Sequence, residues 1–547
     1  MITLQGVGAS AGIAKGKIRF LKDESLSVEK RRVDDAGQEV ARFNNARDAV
    51  AEKLTKLAKE AASKIGEENA LLFEVHNMML HDSDFTEPII AIIETENVCA
   101  EYAVKTAGYR LAQDFSEMDD DYMKERSADI RDISNRLIEV LLGLSQGLGQ
   151  GEEAGQPEAA LPAAILAARD FAPSETARMD RANVLALISQ EGAFNSHTAI
   201  FARTMGIPAI VALGDALSPE LSGKDAILDG QNGLLYIEPH DALVGELEER
   251  AEKDRLEKAA LENLRGKPTV AKNGREVKLF ANIGSPKDAD AALAQDAEGI
   301  GLFRSEFLYL GRDDFPDEET QFNSYKEVLC KMAGRQVIIR TLDIGADKQA
   351  AYFDLPKEEN PALGLRAIRI CLSRPDIFKT QLRAIYRASA YGNAAIMFPM
   401  INSLGELMQA REIAKSVRYE LGEKNIPFQN VPIGIMIETP ASAVISDILA
   451  EQSDFFSIGT NDLTQYTLAI DRQNASLDPF CDTHHEAILR LIRTTCENAH
   501  KAGIWCGICG SLGGDLALTK TFVEMGIDEL SVEPSLILKL RSVIAGC

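Results

Sequence analysis

Nowhere in these 547 residues do about 18 apolar residues run together, and Met1-Ile2-Thr3-Leu4-Gln5-Gly6 carries neither a basic flank nor an apolar core. The first absence argues against a spanning helix and the second against a secretory leader. Together they set the expectation of a cytoplasmic protein without a membrane partner. Basic charge is short as well: 59 Lys and Arg stand against 84 Asp and Glu, a formal net charge of −25. Phosphate backbones select basic surfaces, so no nucleic acid partner is expected. A basic protein partner would instead be steered by such a field. The eight cysteines are scattered, as suits reduced thiols. Cys506-Gly507-Ile508-Cys509 has C-x-x-C spacing, but the run before it reads as a strand, whereas a redox motif opens a helix. No second C-x-x-C or His pair completes a zinc site. No G-x-x-x-x-G-K-[ST] loop is present to cradle a nucleotide phosphate.

Proline is nearly absent from Glu29 to Leu142, where Val40, Phe43, Ala46, Val50, Leu54 and Leu57 recur at helical spacing. Acidic residues outnumber basic ones there, so the segment reads as a helical bundle with an acidic surface. Ahead of it, the Gly-rich stretch Gly6 to Gly16 and then Lys17-Ile18-Arg19-Phe20 have strand character. Residues 145–157 read as an exposed turn. Leu161 to Ile237 alternates short strands and helices, with Ser174 as a helix N-cap and Val184 to Ile188 as a buried strand. Residues 241–265 form a charged helical linker. Beyond Lys272, eight strand-like runs begin near Val277, Gly299, Val337, Ala395, Ile433, Phe455, Ile504 and Glu529. They occupy about 275 residues, close to the roughly 250 of an eight-stranded α/β barrel.

Chemistry concentrates at two places. His197 lies in Gln190-Glu191-Gly192-Ala193-Phe194-Asn195-Ser196-His197-Thr198, where a glycine-containing loop delivers an imidazole flanked by hydroxyls. A neutral imidazole is a good phosphoryl acceptor, one ring nitrogen attacking while the other is held. Alone among seven histidines it is a weak signal. The second place is a series of strand ends: Arg304, Arg340, Glu438, Asn461 with Asp462, and Cys509. The carboxyl ends of parallel strands are where such a barrel builds its active site. Singly, each has an ordinary reading as a surface ion pair, a structural acid or a small buried thiol. Their joint placement points to a site.

These residues, in order along nearly the whole chain, resemble the Enzyme I family of the bacterial phosphotransferase system, among the PEP-utilising enzymes. The likeness rests on the Gly-rich start, Gly66-Glu67-Glu68 with Phe73-Glu74-Val75-His76, Ala128-Asp129-Ile130-Arg131-Asp132, Pro173-Ser174-Glu175-Thr176 and Ser196-His197-Thr198-Ala199. Further on it rests on Leu342-Asp343-Ile344-Gly345-Ala346-Asp347-Lys348, Asn360 to Arg369, and Ser457 to Tyr466. The resemblance implies a multidomain α and α/β protein. A helical HPr-binding domain (25–145) interrupts an α/β phosphohistidine domain (1–24 and 146–236); a helical linker (237–262) leads to a phosphoenolpyruvate-binding (β/α)8 barrel (263–547). It implies transfer of phosphate from phosphoenolpyruvate to His197 and on to the carrier HPr, with pyruvate released, in a homodimer joined through the barrel. It implies Mg2+ held by Glu438 and Asp462, and a substrate clamp of Arg304, Arg340, Asn461, Asp462 and Arg472 with Arg366 beside it. Cys509 would donate the proton to carbon, and Thr176 would contact the histidine. Lys348 is either clamp or salt-bridge partner; Asp343 is either a ligand or support for one.

The chain departs from the family pattern at three places. Phe194-Asn195 replaces a more polar pair before the histidine. Ser511 stands where an acid commonly follows Cys509-Gly510. Glu533 lies near the end of the last strand-like run, where a small residue is usual. A dikinase shares the histidine module and the barrel but needs an added nucleotide-binding region of several hundred residues. A docking protein with a decayed site would not keep the strand-end set intact.

Overall fold

The computed structural model describes residues 1–547 apart from 22–27, 66, 119–120, 144–161, 172–175, 177–178, 180, 195, 346–350, 356–357 and 473, and apart from the side chains of 59–65, 67–72, 121–125, 128, 197, 351, 475 and 478. The expected turn at 145–157 and the Ser174 cap lie outside the described residues. The chain divides into two compact units, Met1–Leu256 and Glu257–Cys547. The division falls inside the helix Asp241–Glu262. Among the described residues no helix is long and apolar enough to cross a membrane.

In the first unit, β1 (Ile2–Gln5), β2 (Val7–Ser10) and β3 (Ile13–Phe20) join β4 (Ala164–Ala168), β5 (Val184–Ser189), β6 (Ala209–Val211), β7 (Asp225–Asp229) and β8 (Leu234–Ile237). They form one sheet of order β1-β8-β7-β3-β4-β5-β6-β2. The pairs running from β3 through β4 and β5 to β6 are parallel and the remaining ones antiparallel. β4 is buried along its whole length, as a strand covered on both faces must be. Its alternate residues feed two apolar clusters, Leu166 with Leu187 and Phe201, and Ile165 with Ile188 and Leu228.

Between β3 and β4 the chain leaves the sheet and builds helices Ala36–Ile65, Glu67–Leu80, Ser83–Glu96, Ala100–Ser116 and Asp121–Leu141. The Phe43, Ala46, Val50, Leu54, Leu57 stripe is buried against Ile89, Val104 and Leu137. That core also encloses a polar group the periodicity did not announce. His76 is fully buried, with Nε2 3.1 Å from an Asp129 oxygen and Nδ1 3.7 Å from Asp132. Arg126 and Arg136 pair with the same two aspartates.

The second unit is a closed barrel of eight parallel strands, β9 (Lys278–Ile283), β10 (Gly299–Arg304), β11 (Val337–Arg340), β12 (Ala394–Phe398), β13 (Ile433–Ile437), β14 (Phe455–Ile458), β15 (Trp505–Ile508) and β16 (Glu529–Val532). Each begins within one residue of the start expected from sequence. Alternation sorts the side chains. Ile300, Ile339, Ile435, Phe456, Ile508 and Leu530 pack outward against the helices. Leu302, Ile338, Met397, Met436, Phe455 and Cys509 form a separate inner cluster. At the amino-terminal end of the strands, Trp505 stacks on Phe455, with ring centroids 4.7 Å apart and planes at 3°.

Trp505 is the chain's single tryptophan, so its fluorescence reports the barrel alone. Gly434 gives Phe455 its room: a Cβ there would lie 2.5 Å from the ring. Gly434→Ala should lower barrel stability by about 1–3 kcal/mol, the usual cost of overpacking. The check is a urea titration followed by tryptophan emission. An unchanged midpoint would show that the ring has somewhere else to go.

Candidate active site

The sequence-expected residues of the second unit converge at the carboxyl ends of the barrel strands. Arg304 and Arg340 are register partners ending β10 and β11. Arg304 is exposed, while Arg340 is buried and donates through Nη2 to Glu306 (2.9 Å) and pairs through Nη1 with Asp343 (3.0 Å). Asp343 is itself buried and accepts from Arg366 Nη2 at 2.9 Å. Arg366 also reaches Tyr466 Oη at 3.2 Å and lies 3.6 Å from Asp462. Arg472 is exposed and approaches the same Asp462 oxygen at 3.7 Å. Both buried guanidiniums keep an Nε atom without a hydrogen-bond partner. Lys348 lies outside the described residues.

The carboxylates come from the next two strands. Glu438 follows β13 directly, and its Oε1 accepts the Met400 N–H at 2.6 Å. Gly459, after β14, makes this possible, since a Cβ there would meet Glu438 at 2.9 Å. Asp462 stands in the first turn of the helix Thr460–Leu468. Glu438 Oε2 and Asp462 Oδ1 are buried with no hydrogen-bond partner. The Asp462 oxygen has only the two long ion pairs to Arg366 and Arg472, and two hard oxygens without hydrogen bonds fit a small divalent cation that fills its remaining positions with water and substrate oxygens. Among the described residues no cluster of three His, Cys, Asp or Glu side chains offers a fuller cage.

Charge sets the protonation states. Burial works against the charge on Arg340, but Glu306, Asp343 and Glu438 outweigh it and hold the guanidinium above its ordinary pKa. Burial likewise opposes Arg366, and Asp343 and Asp462 reverse the balance. Burial pushes the Glu438 carboxyl up to about 8, with Asp462 and Asp343 adding to the push and Arg340 and Arg366 resisting it. Cys509, one residue past β15, is buried, and burial pushes its thiol up to about 12. At neutral pH it therefore carries its proton, and the nucleophilic thiolate form is disfavoured. Cys506 belongs to the outer cluster and Cys509 to the inner one, opposite faces as strand alternation requires.

Ser511 has a function the sequence did not reveal. Its N–H and hydroxyl both donate to Asn461 Oδ1, at 2.8 and 2.7 Å. The amide oxygen is thereby occupied, which leaves the NH2 as the group of Asn461 able to donate elsewhere. Gly510 permits the approach, because a Cβ there would overlap Thr460. Glu306 and the bridging place of Asp343 also escaped the sequence reading. Asp343 itself was a candidate, as ligand or as support, and the structure pairs it with Arg340 and Arg366.

In the first unit, His197 opens the helix His197–Met205, capped by Ser196, which accepts from Ala199 N. The His197 side chain and Asn195 lie outside the described residues. Phe194, a departure from the family pattern, packs its ring under the Arg203 guanidinium, 4.5 Å from the centroid. Arg203 also donates to the carbonyls of Phe194 (2.8 Å) and Ala9 (3.0 Å), so it braces the loop locally. Thr176 is buried in the same unit.

Comparison with known proteins gives three family matches. The N-terminal domain of PEP-utilising enzymes matches residues 5–126, their mobile domain 161–233 and their PEP-binding domain 258–547. The phosphoenolpyruvate-protein phosphotransferase of Bacillus subtilis (strain 168) is 42% identical over 546 residues, covering 100% of this chain and 94% of that protein. The protein of the same name from Haemophilus influenzae is 41% identical over 545 residues, covering 99% and 93%. Among solved structures, an NMR structure of Enzyme I (nEIt) is 33% identical, covers 46% of this chain and 99% of that one, and superposes with a TM-score of 0.36.

A divalent cation entering between Glu438 and Asp462 must displace the Glu438 proton at neutral pH. Its affinity should climb with pH and level off above about 8. Below that value, binding should release up to about one proton. Titration calorimetry with Mg2+ in two buffers of different ionisation enthalpy measures both. An affinity flat across the range would remove Glu438 from the cation site.

Proposed function

The chain belongs to the PEP-utilising enzyme family, and from that footing we propose that it is a phosphoenolpyruvate–protein phosphotransferase. It takes the phosphoryl group of phosphoenolpyruvate onto His197, releases pyruvate, and passes the group to a histidine of the carrier HPr, the first step of phosphotransferase sugar uptake. The observation that carries this reading is the barrel mouth itself. Two buried guanidiniums, each with an Nε that makes no hydrogen bond, stand beside two carboxylates that each keep an oxygen without a hydrogen bond and a thiol that keeps its proton.

The substrate is a small dianionic-to-trianionic molecule with a phosphate and a carboxylate. Arg304, Arg340, Arg366 and Arg472 present guanidinium forks suited to both groups, and the Asn461 amide, pinned by Ser511, adds a donor. Mg2+ at Glu438 and Asp462 would supply Lewis-acid stabilisation to charge growing on the enol oxygen. As the His197 nitrogen forms its bond to phosphorus, the bridging P–O bond breaks and the enolate is left. Cys509 then breaks its S–H bond and the proton forms the new C–H bond of pyruvate. Donor and acceptor lie in different units of the chain, so the phosphoryl group is collected by one and charged by the other. The acidic helical bundle suits a basic HPr surface. A cytoplasmic location and a homodimer joined through the barrel complete the reading.

Incubation with labelled phosphoenolpyruvate and Mg2+ but no nucleotide should give one acid-labile, alkali-stable label per chain and an equivalent of pyruvate. Label that persists in His197→Ala would sink the assignment of the acceptor.

Cys509→Ala should slow pyruvate formation by about 10²–10⁴-fold while leaving phosphoenolpyruvate binding nearly intact, the signature of a lost proton donor. Cys506→Ala, on the outer face, should be mild. Single-turnover pyruvate release compares the two. Equal losses would point to a joint dithiol role instead.

A further inference from the structure

Beneath the mouth the barrel holds a carboxylic acid that this mechanism does not use. Glu529, the first residue of β16, is buried to 1% exposure, and neither of its side-chain oxygens has a hydrogen-bond partner. Two neighbours make its space by lacking a side chain. A Cβ on Gly507 would overlap Glu529 Oε2, and a Cβ on Gly301 would meet Oε1 at 2.5 Å. Gly507 is the register partner of Glu529 across β15 and β16. It also lies two residues before Cys509, so all three positions share the inward face, one layer of about 7 Å apart. On the other side Glu529 pairs in register with Lys278 of β9, whose side chain is exposed at the amino-terminal rim. The carboxyl is thus itself closed from solvent, one layer beneath the thiol and in register with a residue whose side chain reaches solvent.

We propose that Glu529 returns to Cys509 the proton that Cys509 gives to the enolate carbon, drawing its replacement from solvent at the amino-terminal rim beside Lys278. The inference rests on the phosphotransferase reading and deepens it. After the C–H bond of pyruvate forms, Cys509 is a thiolate in a buried place. The Glu529 O–H bond breaks, the S–H bond re-forms, and the carboxylate left behind takes a proton from water. Burial holds the Glu529 carboxyl well above its ordinary range, with Lys278 opposing and Asp528 adding, and a buried carboxyl with no hydrogen-bond partner for either oxygen favours its neutral, protonated form. The groups around it are Lys278 on β9, Gly301 on β10, Cys506, Gly507 and Cys509 at β15, and Asp528 and Ser531 on its own segment. Ser531 is already engaged, donating to Asn282 Oδ1 at 2.7 Å.

A structural glutamate and a proton-returning one differ in which turnover they affect. The full-length protein is mixed with phosphoenolpyruvate, Mg2+ and excess HPr, and pyruvate is quenched on the millisecond scale and followed over many turnovers. Glu529→Gln should release its first pyruvate at the wild-type rate, because Cys509 begins protonated. Later turnovers should slow by about tenfold or more, within the range of a positioned acid. Glu529→Asp should recover part of that loss, and phosphoryl transfer from the phosphorylated enzyme to HPr should be unchanged in both. First and later turnovers falling together, or neither falling, would overturn the proposal. If Glu529→Gln does not fold, Glu529→Asp carries the test, with a full first turnover and slower later ones expected and uniform rates overturning it. No pyruvate from the wild type would overturn this inference together with the reading beneath it; pyruvate without the burst overturns the inference alone.

Discussion

Asp343 is the interaction on which the barrel mouth depends. One buried carboxylate holds two buried guanidiniums, Arg340 at 3.0 Å and Arg366 at 2.9 Å. Without it, two like charges would face each other away from water, and breaking a buried pair costs about 3–5 kcal/mol. With it, the guanidiniums are oriented and each still has an unused donor. The same balance keeps the Glu438 carboxyl from rising further, because Arg340 and Arg366 oppose the push of burial. Glu306 completes the arrangement by taking the second fork of Arg340. Opposed charges therefore nearly balance at the barrel mouth, while two guanidinium donors and two carboxylate oxygens make no hydrogen bond.

Much of the geometry is made by what glycine omits. Gly459 lets Glu438 lie against the start of the helix Thr460–Leu468, Gly510 lets the β15 end close on Thr460, and Gly301 and Gly507 clear the space of Glu529. In each case a single methyl would meet a functional group. Close approach of backbone to ligand or neighbour is a standard use of the residue. Here it places polar side chains in a barrel interior that is otherwise apolar, with Leu302, Met397 and Phe455 filling the layers.

The strands were legible because buried parallel strands read as short apolar runs, and the cluster of polar groups at the barrel mouth was legible because polar residues punctuate the strand ends. Arg304, Arg340, Glu438, Asp462 and Cys509 all carried that signal. What stayed hidden lay off the pattern. Glu529 begins a strand rather than ending one, and attention fell instead on Glu533, which is exposed beyond β16. Ser511 registered only as a missing acid, since no sequence periodicity shows that it meets Asn461 fifty positions earlier in the chain. His76, between Asp129 and Asp132, sits on an apolar helical face whose spacing is indifferent to one buried imidazole. Long-range polar pairings are set by tertiary packing, and packing is where single-sequence reasoning loses its grip.

The hold of Ser511 on Asn461 has a consequence for how such a chain changes over generations. Both donors of Ser511 fall on one amide oxygen. An acid at 511 would keep the backbone donor to that oxygen but replace the hydroxyl donor with an acceptor. Residues in one hydrogen-bond network are coupled, not additive. An exchange at 511 and one at 461 are therefore not independent events: the effect of either depends on the side chain standing at the other.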